Sequence, residues 1–228
     1  MSRIARTVAV DFPHHITHRG NYRQKVFTEK EDFVNYLKLV NKYASQNALS
    51  VLSYCLMPNH VHFIAIPANR ESLSKTLNIT QMVYAQYVNK KRRISGHLWQ
   101  GRFYSCVLDE NHLYTAVRYV ERNPVRAKLV ENPWDWKWSS AKQHAYGEKD
   151  DLIKLADISK FIGAGNWKEF LNEAVGEDFL EEIRKNTKTG RPVGNTDFVS
   201  RLEKMFKRRL SVSRRGRPRK NRDSYLFS

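Results

Sequence analysis

Only two cysteines, Cys55 and Cys106, occur among 228 residues. That number cannot staple a disulfide scaffold or build a four-cysteine zinc centre, so both are read as reduced core residues. Long apolar runs are missing as well. No stretch approaches the roughly 18 to 20 consecutive apolar residues of a membrane span, and residues 1–13 lack the apolar segment of a secretory signal. A soluble, cytoplasmic protein with no membrane partner is therefore expected. Acidic side chains are the third scarcity: 23 Asp and Glu face 40 Lys and Arg, for a net charge of +17. A field of that size attracts polyanions, which makes nucleic acid the default partner.

What is present suffices for a packed core, since 41% of the residues are hydrophobic and 12% aromatic; this excludes a wholly disordered chain. The charge is not evenly spread. Residues 1–130 carry 19 basic and 8 acidic side chains, residues 131–180 carry 6 and 10, and residues 181–228 carry 15 and 5. Two basic blocks thus flank an acidic spacer.

Residues 14–18 alternate around Ile16 and lead into the turn-like Arg19, Gly20 and Asn21, as in a short strand. Phe33, Leu37, Val40 and Ala44 recur at helical spacing over residues 29–46, with Thr28 as N-cap and Glu31 completing a capping box. Two strands, 49–57 and 60–66, are joined by Pro58 and Asn59, a pair suited to a tight reversal. Apolar groups occupy both faces of the second strand, so it reads as central and covered twice. A helix over 73–91 ends in Lys90, Lys91, Arg92 and Arg93; residues 98–108 read as a strand or an interrupted hairpin; Asp109 caps a third helix running to Arg122, where Asn123-Pro124 stops it. The order β-α-β-β-α-β-α predicts an α+β, ferredoxin-like antiparallel sheet with helices on one side. A catalytic domain is expected over 1–147, an acidic helical spacer and linker over 148–195, and a basic helix and tail for DNA binding over 196–228.

His60 and His62 stand two apart on a strand, so both imidazoles point to one face, within chelating distance of one ion. Two hydrogen-bonded core histidines are the ordinary alternative. Tyr119 and Asn123, four apart, share a helical face and bring a phenol near an amide oxygen; a half-buried helix tyrosine and a capping asparagine would account for them equally. Tyr114 is a rival phenol, but five residues turn a helix by about 500°, which leaves it roughly 140° away from Tyr119. Arg118, Arg122 and Arg126 form a basic row able to hold phosphates or simply to face solvent. Arg19, Asn21, Arg23 and Arg102 lie in predicted loops beside strands, where they could contact DNA. Trp134, Trp136 and Trp138 could stack on unpaired bases, although packing against the core is the commoner use of large aromatics. Near the C-terminus, Arg215, Gly216, Arg217, Pro218, Arg219 and Lys220 resemble an AT-hook, whose extended Arg-Pro backbone enters a narrow minor groove.

The ordered motifs resemble a family. Met57-Pro58-Asn59-His60-Val61-His62-Phe63, followed by Arg118-Tyr119-Val120-Glu121-Arg122-Asn123-Pro124-Val125-Arg126-Ala127, is similar to the HUH single-tyrosine transposases, in particular their REP-associated tyrosine transposase branch. Thr17-His18-Arg19-Gly20-Asn21, Leu98-Trp99-Gln100-Gly101-Arg102-Phe103 and Trp138-Ser139-Ser140 extend the resemblance over roughly residues 8–146. It implies a metal-dependent endonuclease and strand-transferase acting on hairpin-forming single-stranded DNA. Tyr119 would be the nucleophile, forming a covalent 5′-phosphotyrosine, and His60 and His62 would hold Mg2+ or Mn2+. Asn123 would be a third ligand where the wider family often has glutamine. The resemblance leaves monomer and homodimer open. Two other functions are compatible with parts of the sequence: a non-catalytic DNA-binding regulator on the same fold, and a zinc hydrolase using His60, His62 and either His18 or His97.

Overall fold

Residues 6–163 and 165–211 are described by a computed structural model; the basic motif containing Arg215, Arg217 and Arg219 lies outside the described residues. Side-chain alternation yields four strands, β1 (His14–Arg19), β2 (Leu49–Met57), β3 (His60–Pro67) and β4 (Tyr104–Val107). They pair in the order β2-β3-β1-β4, antiparallel throughout. Helices α1 (Lys30–Gln46) and α2 (Ser72–Arg92) make the two crossovers. This is the expected α+β, ferredoxin-like sheet. Six further helices follow: α3 (Glu110–Glu121), α4 (Asn123–Arg126), α5 (Ala141–Tyr146), α6 (Trp167–Asn172), α7 (Glu177–Thr189) and α8 (Thr196–Phe206). Among the described residues, no helix is long and apolar enough to cross a membrane.

The two faces of the sheet are covered by different helices. Ile16, Val61 and Phe63 pack with Tyr36, Leu37 and Val40 of α1 and with Leu77, Tyr84 and Val88 of α2. Helices on one side describe that pair. On the opposite face, Leu52, Cys55 and Ile64 meet Leu113, Ala116 and Val120 of α3 and Leu180 and Ile183 of α7. Strand β3 is thus covered twice, as its two apolar faces imply.

The second layer corrects the expected division of the chain. Residues taken for a spacer, including Ile158, Phe170, Leu180, Ile183 and Val193, share one cluster with the strands, so no boundary near residue 147 separates two cores. Their acidity sits outside, at exposed Glu173, Glu177 and Glu181. The start of the basic extension is also anchored: Phe198 and Leu202 of α8 pack on Ala9 and Val107. Asp109 secures this join, accepting from His112 N (2.8 Å) to cap α3 and from Asn195 N (3.0 Å). Gly194 is required there, because a Cβ would lie 2.4 Å from Phe198 Cδ1.

Local boundaries moved by a residue or so. The cap of α1 is Glu29 with Asp32, in place of Thr28 with Glu31. Asp32 wins because it is buried at the α1–α2 contact, where its carboxylate accepts from Thr28 N (2.8 Å) and Glu29 N (3.1 Å) and pairs with Lys91 Nζ at 2.7 Å. Burial raises this carboxyl, but Lys91 and the bonds from Thr28 and Glu29 outweigh it and bring it down to about 2. A depressed carboxyl stabilises the fold above its unfolded value near 3.8 and loses that contribution as pH falls towards 2. Asp32→Ala is expected to lower stability by about 1–3 kcal/mol at neutral pH, measured by urea unfolding, with the deficit shrinking through that acid window.

Of residues 98–108 only Tyr104–Val107 is strand; Trp99 is buried instead, its Nε1 donating to Gln81 O (3.2 Å). The tryptophans of the 134–138 segment contribute packing: Trp138 stacks on Phe33 with ring centroids 4.6 Å apart, and Trp136 Nε1 donates to Leu56 O (3.0 Å).

Candidate active site

Strand register decides which side chains meet. Arg19 lies opposite His60, Thr17 opposite His62 and His15 opposite Ile64. Cross-strand neighbours share a face, so His15, Thr17, Arg19, His60 and His62 all rise from the side that α3 and α7 cover. His18 points to the other side, stacked 4.7 Å from Trp99. It cannot join His60 and His62 around one ion. Exposed His97 lines a separate recess with His18 and Arg102, which removes the set of ligands a zinc hydrolase would need.

Helix α3 carries Tyr119 onto this face. Its ring centroid lies 5.5 Å from that of His62 and 5.7 Å from that of His15, and the residue is 5% exposed. Tyr114 is turned away, its ring 4.2 Å from Phe170 of α6. A cleft of about 360 Å³ opens here, lined by His15, Arg19, His62, Tyr104, Tyr119 and Arg184 among others.

The hydrogen bonds behind the two histidines set which nitrogen is available. Asn59 Oδ1 is 2.6 Å from His60 Nδ1; a carbonyl oxygen only accepts, so Nδ1 carries the proton and Nε2 keeps its lone pair. His62 Nδ1 is 2.9 Å from His15 Nε2, whose Nδ1 is 2.7 Å from Thr187 Oγ1 of α7. If each group donates outward in turn, His62 Nε2 is likewise a lone pair. Burial, reinforced by Arg19, lowers His60 to about 3; burial, then His60, His15, Arg19 and Arg184, holds His62 well below its ordinary value. Both are neutral imidazoles at physiological pH, the form that binds a cation. Bonds made by the far nitrogen of each ring are the usual supporting shell of metal-binding histidines. The donor set therefore fits a divalent ion. Among the described residues no cluster of three or more His, Cys, Asp or Glu forms a complete cage, so further ligands would have to be oxygen atoms of substrate or water.

Burial pushes the Tyr119 hydroxyl upward, and the positive charge of Arg184 opposes the rise. Asn123 is on the expected helical face, but its amide is engaged elsewhere. Nδ2 donates to Tyr119 O (2.8 Å) and Val120 O (3.3 Å), closing the end of α3, while Oδ1 accepts from Arg126 Nη2 (2.6 Å). The oxygen assigned to the cation is thus held by Arg126.

The expected basic contacts separate into groups. Arg19 and Arg23 line the Tyr119 cleft. Asn21 is part of the adjoining turn, its backbone N–H donating to Leu98 O (2.8 Å). Arg102 faces the separate recess with His18. Arg122 and Arg126 line a recess on the other flank of Tyr119, with Arg122 donating to Leu171 O. Arg118 is a correction: it is buried against Phe170, 4.5 Å from the ring centroid, and paired with Glu173. The packing of α6 over it takes it out of the phosphate-holding row.

Three contributors were not identified from the sequence. His15 belongs to a histidine-rich segment with His14 and His18, a weak signal without the β1–β3 register. Thr187 and Arg184 gave none, being 172 and 65 residues in sequence from His15 and Tyr119.

Residues 9–123, about half of the chain, match the family model described as Transposase IS200 like. A putative REP-associated tyrosine transposase of Haemophilus influenzae (strain ATCC 51907 / DSM 11121 / KW20 / Rd) is 25% identical over 122 residues, covering 48% of this chain and 69% of the relative. The solved structure of a REP-associated tyrosine transposase bound to a REP hairpin is similar in fold, with a TM-score of 0.55 at 18% identity, over 69% of this chain and 93% of that one.

Proposed function

The chain belongs to the IS200-like transposase family, and we propose that it is a metal-dependent endonuclease and strand-transferase acting on hairpin-forming single-stranded DNA through a 5′-phosphotyrosine. The observation that carries this reading is the Tyr119 ring 5.5 Å from that of His62, in a cleft lined by Arg19, Arg23 and Arg184. A nucleophile, a pair of metal-binding nitrogens and a cationic wall are the parts that phosphoryl transfer requires. His60 and His62 would hold Mg2+ or Mn2+, which when bound polarises the scissile phosphate and neutralises its developing charge.

The chain's own groups do the rest. Arg19 and Arg23 draw the strand in by its phosphates. Tyr119 Oη attacks phosphorus, its proton passing to solvent, as the bond from phosphorus to the 3′-oxygen breaks and that oxygen takes a proton from solvent to leave as a hydroxyl. The phosphotyrosine retains the diester bond count, so a second 3′-hydroxyl can displace the phenol and join the strand without ATP. Arg126, 5.1 Å from the centroid of the Tyr119 ring, and Asn123, bonded to Tyr119 O, hold the nucleophile's helix end in place.

Labelled hairpin DNA incubated with the protein and Mn2+, then denatured, is expected to yield a protein–DNA adduct that chelation prevents. His62→Ala should reduce its rate at least about 100-fold, since loss of supporting groups alone weakens such sites about 10- to 100-fold. Strand scission with no adduct would identify a hydrolase, and tight binding with no scission in either ion a regulator; either result contradicts the proposal.

A further inference from the structure

Helix α7 lies wholly beyond residues 9–123, in a stretch that composition marks only as acidic, yet it presents three side chains to the Tyr119 cleft. Arg184, Thr187 and Lys188 stand three and four apart and so share a helical face, and all three line the cleft with His62, Tyr119 and Arg19. Their roles differ. Arg184 lines the cleft beside Tyr119, whose hydroxyl is the atom assigned to nucleophilic attack. Thr187, buried, closes the line Thr187 Oγ1, His15, His62 at 2.7 and 2.9 Å, with Cys106 Sγ 3.1 Å behind it.

We propose that α7 completes the active site: Arg184 is a catalytic residue that contacts Tyr119 Oη and the phosphoryl group being transferred to it, and Thr187 is a positioning residue that fixes His62 through His15. This deepens the reading above and rests on it. A guanidinium on the cleft wall beside the phenol meets the charge that develops on the phosphoryl oxygens as the O–P bond forms and the P–O3′ bond breaks. The guanidinium supplies charge and two or more N–H donors without itself moving a proton. Lys188 adds a second cation on the same wall. With Arg19 and Arg23, the cleft lining carries four cationic side chains, two of which the first 123 residues alone do not supply. A threonine hydroxyl holding the far side of His15 explains why a residue so distant in sequence is buried behind a metal-binding pair.

Three quantities separate the possibilities: adduct formation at saturating hairpin DNA, hairpin affinity, and Mn2+ affinity without DNA. Arg184 is exposed at the cleft mouth, so Arg184→Ala should fold as wild type. Its adduct rate at saturation is expected to fall about 100-fold or more, with Mn2+ affinity unchanged and with Arg184→Lys recovering part of the rate. Thr187→Val should weaken Mn2+ binding about 10- to 100-fold and Thr187→Ser should restore it. An Arg184→Ala protein that reaches the wild-type rate at saturating DNA, even with weaker affinity, overturns the catalytic role. Unchanged Mn2+ affinity in Thr187→Val overturns the positioning role. If wild type forms no adduct at all, the transposase reading itself fails and the Arg184 role falls with it; an adduct in wild type with no effect of these substitutions overturns this inference alone.

Discussion

Tyr119→Phe binds hairpin DNA with wild-type affinity and forms no covalent product: that is the expected result for the smallest change available at the site, the loss of one oxygen atom. The aromatic ring keeps its edge contacts with His15 and His62, so loss of the hydroxyl should alter stability by only about 1 kcal/mol. The rate should fall at least about 1,000-fold, to background, because phenylalanine offers no atom to bond to phosphorus. Tyr114→Phe serves as the control and should leave the rate unchanged, since that ring packs on Phe170 outside the cleft. Gel analysis of denatured reactions, with affinity measured separately, checks both. A phenylalanine variant that still traps DNA would assign the chemistry to another group.

Glu121→Ala is expected to destabilise the protein more than any surface change. This carboxylate is completely buried two residues beyond the nucleophile and accepts from Ser140 Oγ (2.5 Å), Ser53 Oγ (3.0 Å) and Trp167 Nε1 (3.2 Å), with His144 Nδ1 at 2.7 Å. It therefore fastens α3 to β2, to α5 and to α6. Removing it strands several donors in the core at about 3–5 kcal/mol, which at this chain length corresponds to about 6–20 °C in Tm. Glu121→Gln keeps an acceptor and should lose less. Burial raises the carboxyl, but His144, Ser140 and Trp167 outweigh it and hold it below 4.5. Its contribution is thus complete above pH 4.5 and disappears as pH falls through the lowered folded value. Wild type should lose stability in that acid window, and the Glu121→Ala curve should lack the step. Equal midpoints for wild type and Glu121→Ala at pH 7 would contradict the account.

Much of this site is written in short-range periodicity. A two-residue period puts His60 and His62 on one face, and the helical angle separates Tyr114 from Tyr119; both relations need only a correct choice of strand or helix. The contacts that escape such reading span separate elements. His15 reaches His62 only in the observed β1–β3 register, and a slip by one residue would turn it to the α1–α2 side. Arg118 looks like part of a charged stripe until α6 brings Phe170 and Glu173 over it. The same helical face holds Tyr119 and Asn123, yet spacing does not reveal that the amide bends back to the Tyr119 and Val120 carbonyls. Averaged charge also hid the spacing of Leu180, Ile183 and Thr187, which fastens α7 to the sheet while its acidic residues face outward.

The most direct measurement is the identity of the atom joined to DNA. Proteolysis of the adduct, removal of all but one nucleotide and peptide sequencing by mass spectrometry should find a 5′-phosphate ester on Tyr119. An ester on Tyr104, which lines the same cleft, on Tyr114, or through a 3′-phosphate would contradict the assignment of nucleophile or of polarity.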